Sequence, residues 1–417
     1  MPDARTQVMR AAPPGAPVVG VVGAGQLARM LCEAASALDI GVVVLAERAD
    51  DAAAPVAPGL VVGSPSDPAA MRALAEMVDV VTFDHEQVDL SILAELEAEG
   101  TVVRPGLETL QMAVDKSVMR ARLAAARLPV PPYESLDPAV ASDPAAATAA
   151  IASFADRHGW PVVVKAARGG YDGKGVWPVP DLDATRRLCE TTARAGTPLL
   201  VEAFVPIEAE LAVVVARRPG GEDVAWPPVE TAQVDGVCRE VLFPGRLDPA
   251  VAGRAAELGR AVAEVARSVG VLAVELFLAG GALLVNEVAA RPHNSAHWTI
   301  EGSITSQFEN HLRGVLDLPL GSTAPAAAEV ASVNVFGAPS EAPPSGGLAG
   351  PDATLPRALA VEGAHVHLYG KAPRPGRKLG HVTVCGSDAG EVRARAWAAA
   401  RALGTPLPAS LDVEVVR

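Results

Sequence analysis

The sequence predicts an α/β region at the N-terminus followed by an α+β region, because strands and helices alternate at first and short strands dominate later. Apolar runs at 18–22 and 42–46 enclose a helical pattern at 26–37, which follows the turn Gly23-Ala24-Gly25. Strand–helix alternation of this kind is typical of a parallel sheet with helices on its faces. Further strands of this sheet are expected at 60–62, 80–83 and 101–103, with a helix at 68–77.

The pattern changes after Pro105, where one helical stretch at 107–126 leads into a region of short strands. A helix at 251–269 interrupts these strands, and another is expected near 391–402. A Pro- and Gly-rich segment at 338–356 is typical of a loop or linker. Together these features indicate an α+β region. Its strands are expected at 161–166, 199–204, 210–216, 271–278, 282–288, 332–336, 365–368 and 381–384.

Composition and charge restrict the function classes. The 417 residues carry a formal net charge of −14, which argues against a nucleic-acid partner because duplex binding needs a basic face. No apolar run approaches the ~18 residues of a membrane-spanning helix, and residues 1–17 lack the apolar core of a secretion signal. The cysteines are far apart and form no CxxC motif, which favours reduced thiols and a cytoplasmic protein. They are Cys32, Cys189, Cys238 and Cys385.

The first glycine motif, Gly23-x-Gly25-x-x-Ala28, lies between a predicted strand and a predicted helix. A turn without side chains lets backbone N–H groups at a helix N-terminus approach an anion. Glu47 ends the second strand, where a dinucleotide-binding fold places the acid that binds ribose. Three interpretations stay open from these residues: a turn without a ligand, a phosphate site, and the NAD site of an oxidoreductase.

The strongest local signal is a glycine-rich loop at 169–175, which follows a strand carrying Lys165. Its glycines allow the loop to fold over a polyphosphate and exclude water, while Lys165 and Lys174 supply the opposing charge. The Walker A pattern GxxxxGK[ST] is absent from this segment. The alternative is an ordinary glycine hairpin loop with solvated lysines. The loop consists of Gly169, Gly170, Tyr171, Asp172, Gly173, Lys174 and Gly175.

Two glutamates lie on consecutive predicted strands joined by Ala279-Gly280-Gly281. If the turn centres on Gly281, Glu275 faces Glu287 across the hairpin, whereas a one-residue slip moves Glu287 to the other face. Facing carboxylates repel each other, and Mg²⁺ compensates well because it prefers carboxylate and phosphate oxygens. We therefore predict a Mg²⁺ site at Glu275 and Glu287; the alternative is two glutamates with separate arginine partners.

The segment 291–297, directly after the second strand, offers groups for charge neutralisation. Arg291 can neutralise a transferring phosphoryl group, and Asn294 can donate a hydrogen bond to an oxyanion. Because Mg²⁺ rarely binds imidazole, His293 and His297 are expected to have structural or substrate-positioning roles. Arg291 and Asn294 are therefore candidate catalytic residues.

Four motifs together resemble the ATP-grasp superfamily and, within it, the N5-carboxyaminoimidazole ribonucleotide synthase family. They are Gly-Gly-Tyr-Asp-Gly-Lys-Gly at 169–175, Asn-Glu-Val-Ala-x-Arg-Pro-His-Asn-Ser at 286–295, Thr-Ser-Gln-Phe-Glu at 305–309 and Leu-Tyr-Gly-Lys-x-x-Arg-Pro-Gly-Arg-Lys at 368–378. The resemblance starts near residue 18, after an expected flexible extension at 1–17. It implies a Rossmann-like preATP-grasp domain at 18–110, an ATP-grasp domain at 111–325 and a small β-rich C-terminal domain at 326–417.

The family resemblance implies an ATP-dependent ligase that carboxylates 5-aminoimidazole ribonucleotide with bicarbonate in purine (IMP) biosynthesis. ATP and Mg²⁺ would be its cofactors, ADP and phosphate would leave with the product, and family members are typically homodimers. Formate-using relatives within the superfamily usually have Asp at the position of Asn294. A nucleotide-binding regulator without catalysis is a further alternative, which the intact lysines and carboxylates disfavour.

The resemblance also implies roles for individual residues. The 202–205 segment would bind adenine through its backbone, Glu210 would bind ribose, and Tyr171 and Lys174 would take part in catalysis. The ATP-binding residues implied are Lys116, Lys165, Gly170, Tyr171, Asp172, Gly173, Lys174, Gly175, Glu202, Ala203, Phe204, Val205, Glu210, Gln233, Asn286 and Glu287. The substrate-binding residues implied are Gln26, Leu27, Glu86, Tyr171, Lys174, Lys371, Arg377 and Lys378.

The basic run Lys371, Arg377 and Lys378 suits a 5′-phosphate, with a solvated surface run as the alternative. The chain departs from the family pattern at three positions. Gln233 stands where the family often has His, and Ala28 and Ala296 stand where glycine is usual. Glutamine can still form hydrogen bonds, so the departure at Gln233 does not imply lost activity.

Overall fold

The computed structural model describes residues 7–8, 12–170, 173–337 and 354–411. Tyr171 and Asp172, which the sequence assigns to the site, lie outside the described residues. Three β-sheets organise the chain, with five, four and nine strands. No helix within the described ranges is long and apolar enough to cross a membrane.

The N-terminal sheet has the strand order β1-β4-β3-β2-β5, and its three pairings from β4 to β5 are parallel, as the sequence predicts. The edge strand β1 lies in the segment expected to be a flexible extension and pairs antiparallel with β4. The elements are β1 (Gln7–Val8), β2 (Val18–Val22), α1 (Gln26–Ser36), β3 (Gly41–Ala46), β4 (Gly59–Val62), α2 (Pro68–Ala75), β5 (Val80–Phe83) and α3 (Leu90–Ala98).

The strand predicted at 101–103 is wrong, because this segment makes only an isolated parallel bridge between Val81 and Val103. Pro105 follows two residues later, and a residue without a backbone N–H cannot extend the ladder. The polypeptide therefore leaves the sheet here and enters the connecting helices.

The single helix predicted at 107–126 is also wrong, because the chain forms α4 (Leu107–Val114) and α5 (Lys116–Ala125). Asp115 has extended backbone angles between them, and its carboxylate accepts hydrogen bonds from the N–H groups of Ser117 and Val118. This N-cap starts a new helix in place of continuing the old one. As a result Lys116 occupies the first position of α5 and is only 8% exposed.

The second sheet has the strand order β6-β9-β7-β8 and is entirely antiparallel in its described pairings. Helices α7 and α8 pack together over its apolar core, which includes Ile151, Phe154 and Cys189. The elements are β6 (Tyr133–Ser135), α6 (Pro138–Ala141), α7 (Pro144–His158), β7 (Val162–Ala166), β8 (Val176–Val179), α8 (Leu182–Arg194) and β9 (Leu199–Ala203).

The third sheet follows the order β15-β14-β10-β12-β13-β16-β18-β17, with β11 paired to β10. Strand β16 pairs with β13, so the strands after residue 325 continue the same sheet; a domain boundary at that residue stays a prediction. The elements are β10 (Ala209–Arg217), β11 (Asp223–Ala225), β12 (Val229–Val234), β13 (Val237–Phe243), α9 (Pro249–Val265), β14 (Gly270–Ala279), β15 (Ala282–Ala289), α10 (Thr299–Gly302), α11 (Gln307–Val315), β16 (Glu329–Phe336), α12 (Thr354–Leu359), β17 (Ala364–Leu368), β18 (Lys378–Gly386) and α13 (Ala389–Ala402).

Candidate active site

A cavity of about 1490 Å³ lies between the four-stranded and nine-stranded sheets. Strands β7 and β8 line it on one side, and β10, β14 and β15 line it on the other. Most of the residues that the sequence assigns to the site meet there. The assigned residues that line the cavity are Glu86, Lys116, Lys165, Gly170, Gly173, Glu202, Ala203, Phe204, Val205, Glu210, Gln233, Glu275, Asn286, Glu287, Arg291, Asn294 and Lys378.

Glu275 and Glu287 are direct partners across β14 and β15, so the predicted facing arrangement is confirmed. The condition attached to this arrangement, a turn centred on Gly281, is not met, however. Ala279 pairs with Ala282, which centres the turn between Gly280 and Gly281, and that register alone would place Glu275 opposite Asn286. A β-bulge between Glu275 and Leu276 skips Asn286 and restores the pairing of the two glutamates.

Both glutamates have a basic or imidazole neighbour in addition to each other. Lys116 Nζ lies 3.1 Å from Glu287 Oε1, and His293 Nε2 lies 3.6 Å from Glu275 Oε1. Burial lowers the pKa of His293 to about 3, and Arg291 adds to this shift, so the ring is neutral at pH 7. Among the described residues, no group of three or more His, Cys, Asp or Glu side chains could hold a metal ion.

A buried ionic network joins two lining residues, Lys165 and Glu202, to Arg120 behind them. Lys165 Nζ is 2.7 Å from Glu202 Oε2, and Arg120 Nε donates to Glu202 Oε1 at 2.6 Å. Burial by itself would raise the pKa of Glu202, but Arg120 and Lys165 outweigh it and the net shift is downward. Two basic side chains therefore share one carboxylate, and burial lowers the pKa of Lys165 although Glu202 opposes this shift.

Sequence reasoning missed Arg120, which is completely buried. Its Nη2 group donates to the backbone oxygen of Asn286 at 2.9 Å, while Lys165 Nζ donates to the Asn286 side chain at 3.1 Å. A signal did exist, since Arg120 follows Lys116 by four residues and helical residues at this spacing share a face. The partners of Arg120 are distant in sequence, so the spacing alone does not reveal its role.

One end of the cavity is apolar and accessible. Phe204 is 50% exposed and Ile207 is 45% exposed, and both line the cavity next to the end of β9. Glu210 lies nearby on β10, and burial raises the pKa of its carboxyl group to about 7. An apolar surface beside a partly buried acid suits a flat heterocycle that carries hydroxyl groups.

The glycine-rich loop joins the antiparallel strands β7 and β8. Gly169, Gly173 and Gly175 have positive φ angles, a conformation that favours glycine. A side chain at Gly173 would come within 3.1 Å of Gly236, so the loop closely approaches the turn between β12 and β13. Gly170 and Gly173 line the cavity. Lys174 is exposed, and Gly175 is not among the lining residues.

A second cluster adjoins the cavity beside the first glycine turn. Lys371 Nζ bonds to Gln26 Oε1, and Glu86 Oε2 accepts a hydrogen bond from Arg291 Nε at 2.7 Å. The Leu27 side chain is buried in the core, so only its backbone could contact a substrate. Arg377 does not line the cavity, but it contributes to the positive charge around Lys371. Of the assigned substrate residues, Glu86 and Lys378 therefore line the cavity, whereas Gln26 and Lys371 contact each other and are not among its lining residues.

The glycines of the first turn make room for protein atoms. A side chain at Gly23 would come within 2.9 Å of Asp84 Cβ, and the Asp84 carboxylate accepts a hydrogen bond from Gly25 N. A carboxylate therefore occupies the anion position at the start of α1, which argues against a dinucleotide pyrophosphate there. Ala28, where the family usually has glycine, is buried in the core of this region.

Gln307 is a further buried residue that holds the 291–297 segment. Its Oε1 accepts from His293 N at 2.8 Å, and its Nε2 donates to His293 O at 2.8 Å. The same amide lies 3.2 Å from His297 Nδ1. Burial lowers the pKa of His297 well below its ordinary value, so both histidines are neutral components of a fixed loop.

The nucleotide-sized cavity between two antiparallel sheets, with its paired carboxylates and buried lysines, defines an ATP-grasp protein. The ATP-grasp domain model matches residues 121–308. The ribonucleotide synthetase preATP-grasp domain matches 17–114, and the phosphoribosylaminoimidazole carboxylase C-terminal domain matches 331–395. The chain belongs to the N5-carboxyaminoimidazole ribonucleotide synthase family, as the following relatives show.

The enzyme of this name from Mycobacterium bovis is 47% identical over 388 residues, which cover 92% of this chain and 87% of the relative. The Corynebacterium ammoniagenes enzyme is 40% identical over 382 residues, covering 90% and 89%. A solved Aspergillus clavatus structure, in complex with ADP and 5-aminoimidazole ribonucleotide, has a TM-score of 0.82 and 32% identity and covers 93% of this chain and 99% of that chain.

We expect Lys371 to react with acetic anhydride with a half-maximal rate near pH 8. Burial lowers the pKa of Lys371 to about 8, Asp84 opposes the shift, and Arg377 and Lys378 strengthen it. Only the neutral amine reacts, so the labelling rate measured by mass spectrometry rises through this pKa. Arg377→Gln should move the midpoint upward and Asp84→Asn downward. A midpoint at the ordinary lysine value of 10.5 contradicts the prediction.

Proposed function

We propose that this protein carboxylates 5-aminoimidazole ribonucleotide with bicarbonate, using ATP, and produces N5-carboxyaminoimidazole ribonucleotide, ADP and phosphate for purine biosynthesis. The observation that carries the proposal is the pair Glu275 and Glu287, which face each other in a cavity that also contains Lys116 and Lys165. Family membership supports the same reaction, because relatives across most of the chain length have this activity in their names.

ATP would occupy the cavity with its base beside Phe204 and its phosphates beside the lysines. The exposed face of Phe204 would be covered by adenine, which removes apolar surface from water. Lys165 and Lys116 approach from β7 and α5, and the buried network adds positive charge below them. Glu210 would accept hydrogen bonds from the ribose hydroxyls. Solved relatives in complex with ATP and with ADP support the binding of an adenine nucleotide.

Glu275 and Glu287 would hold Mg²⁺ between them. Mg²⁺ is usually bound by one or two carboxylates together with phosphate oxygens, which fits a pair of facing glutamates in a site without a larger ligand cluster among the described residues. When bound, Mg²⁺ supplies charge neutralisation for the phosphoryl group. Lys116 would then move from Glu287 to the phosphates, because the cation replaces it as the partner of that carboxylate.

The ribonucleotide would bind where the cavity meets the second cluster. Lys371 and Lys378, with Arg377 nearby, form a basic group in an otherwise acidic protein and suit a 5′-phosphate. Glu86 orients Arg291 through their ion pair, and this arrangement would place the guanidinium beside the reacting groups. Gln26 would position the substrate together with Lys371. The complex of a relative with both ADP and 5-aminoimidazole ribonucleotide supports binding of both molecules by one protein.

The reaction would proceed in two steps. A bicarbonate oxygen attacks the γ-phosphorus and displaces ADP, which forms carboxyphosphate. The exocyclic amine of the ribonucleotide then attacks the carboxyl carbon, either directly or after CO₂ is released, and phosphate leaves. Carboxyphosphate hydrolyses in water, so the 169–175 loop with Tyr171 and Lys174 would close over the site, while Arg291 and Asn294 stabilise developing negative charge.

We further propose that the enzyme works in the cytoplasm as a homodimer. Free cysteines are consistent with a reducing compartment, since Cys32, Cys189, Cys238 and Cys385 form no disulfides. Dimerisation rests on the family resemblance.

Phosphate release tests the proposed reaction. We expect release from Mg·ATP to require both bicarbonate and 5-aminoimidazole ribonucleotide for its full rate, with N5-carboxyaminoimidazole ribonucleotide identified by rapid mass spectrometry. Formate in place of bicarbonate is the control for the formate-using relatives. Phosphate release that depends on formate, or whose rate does not change when the ribonucleotide is added, refutes the proposal.

Glu287→Gln should lower bicarbonate-dependent ATP turnover by about 100-fold or more, because the metal loses one of two carboxylate ligands. Circular dichroism should show an intact fold. Glu208→Gln is the matched control, since Glu208 Oε1 accepts from Gly280 N at the turn of the same hairpin and does not line the cavity. Wild-type turnover in Glu287→Gln would exclude the metal assignment.

The KM for ATP should depend on the ionisation of Glu210. Burial raises the pKa of this group to about 7, so much of it is protonated in the free enzyme at neutral pH. Ribose hydroxyls donate to the ionised form and favour it, so the KM for ATP should fall as pH rises from about 6 to about 8. Glu210→Gln should remove this dependence. The ratio of the KM for ATP of Glu210→Gln to that of the wild type, taken at each pH, cancels the ionisation of ATP itself. A ratio that does not change with pH contradicts the ribose assignment.

A further inference from the structure

We infer that Arg120 is a positioning residue that holds the β-bulge at Asn286 and thereby keeps Glu287 opposite Glu275. The inference rests on the proposed metal-binding function of this glutamate pair. Arg120 is completely buried and does not line the cavity, so it acts on the ligands through other residues.

The bulge decides which residue of β15 faces Glu275. From the turn, the pairs Ala279–Ala282, Leu278–Leu283, Phe277–Leu284 and Leu276–Val285 follow one register. Continued by one more step, this register would pair Glu275 with Asn286, and Glu287 would move to the opposite face of the strand. The extra residue at the bulge therefore creates the carboxylate pair, and its stability controls the geometry of the site.

A bulged residue leaves the regular ladder and needs other hydrogen-bond partners. Arg120 Nη2 supplies one to the backbone oxygen of Asn286 at 2.9 Å. Lys165 supplies another to the Asn286 side chain at 3.1 Å, but Lys165 also lines the cavity, where a triphosphate would compete for it. Arg120 has no access to a ligand, so its contact with the bulge persists when nucleotide binds.

The guanidinium spans two strands that the site must keep together. Its Nε and Nη2 groups both lie 2.6 Å from Glu202 Oε1 at the end of β9, and Nη2 also donates to the backbone oxygen of Asn286 on β15 at 2.9 Å. These strands belong to the two different sheets that enclose the cavity. Among the described residues the buried Nη1 group has no hydrogen-bond partner, so part of the cost of burying this guanidinium is uncompensated. The guanidinium therefore links β9 in the four-stranded sheet to the β14–β15 hairpin in the nine-stranded sheet.

Arg120→Lys tests the inference, because an ammonium can keep the pair with Glu202 but cannot reproduce the fork that reaches Asn286. We expect this variant to bind Mn²⁺ in its ADP complex about 10-fold more weakly than wild type, as altered partners of metal ligands typically do. Electron paramagnetic resonance of free Mn²⁺ measures this affinity. The affinity for ADP without metal should remain unchanged, which also shows that the nucleotide site is folded.

Arg393→Lys is the matched control, since Arg393 also pairs with a buried carboxylate, Glu240, at 2.8 and 2.9 Å but lies away from the cavity. It should lower the melting temperature without changing Mn²⁺ affinity. Arg120→Gln, which lacks the charge, is a second variant and should weaken Mn²⁺ binding at least as much as Arg120→Lys.

Glu287→Gln in the same assay separates this inference from the proposed metal site. If Glu287→Gln weakens Mn²⁺ binding and folded Arg120 variants bind it like wild type, the role of Arg120 is overturned and the metal site stands. If Glu287→Gln also binds Mn²⁺ like wild type, the metal assignment fails, and the inference about Arg120 fails with it.

Discussion

Two carboxylates that face each other across a hairpin repel, and the site depends on the cations that offset this repulsion. Lys116 contacts Glu287 directly, and Arg120 and Lys165 surround Glu202 beneath the cavity. Removing charged groups from water is costly unless partners compensate, so each of these buried charged residues requires its oppositely charged partner. The interior is thereby suited to a polyanion, and the proposed Mg·ATP would complete the charge balance.

The local charge of the site differs from the charge of the whole protein. The chain carries a net charge of −14, which disfavours nonspecific association with nucleic acids. Within the cavity, however, lysines and arginines are concentrated, and their neighbours include Lys371, whose pKa falls because of burial. An acidic surface with a basic interior site is compatible with binding small phosphorylated molecules, because the relevant field acts over short distances.

The site is assembled from segments that are far apart in the chain. Lys371, from the loop before β18, reaches Gln26 at the start of α1, and Glu86, after β5, contacts Arg291, after β15. Strand β16 extends the sheet that contains the β14–β15 hairpin, so the C-terminal strands share a hydrogen-bonded framework with this hairpin. The same sheet therefore contains both Lys378, at the start of β18, and the β14–β15 hairpin.

The sequence by itself determined the parallel first sheet and the lysine before the glycine loop, because periodicity and turn residues are local signals. It also placed Glu275 and Glu287 on one hairpin, but the bulge at Asn286 is what makes them face each other. Tertiary structure decided the bulge at Asn286, the helix break at Asp115 and the role of Arg120. The bulge oxygen receives its hydrogen bond from a residue 166 positions away, and Glu202 is 82 positions from the same arginine. Local patterns cannot specify such partners, since they are selected only when separate elements pack together and their buried polar groups must be satisfied.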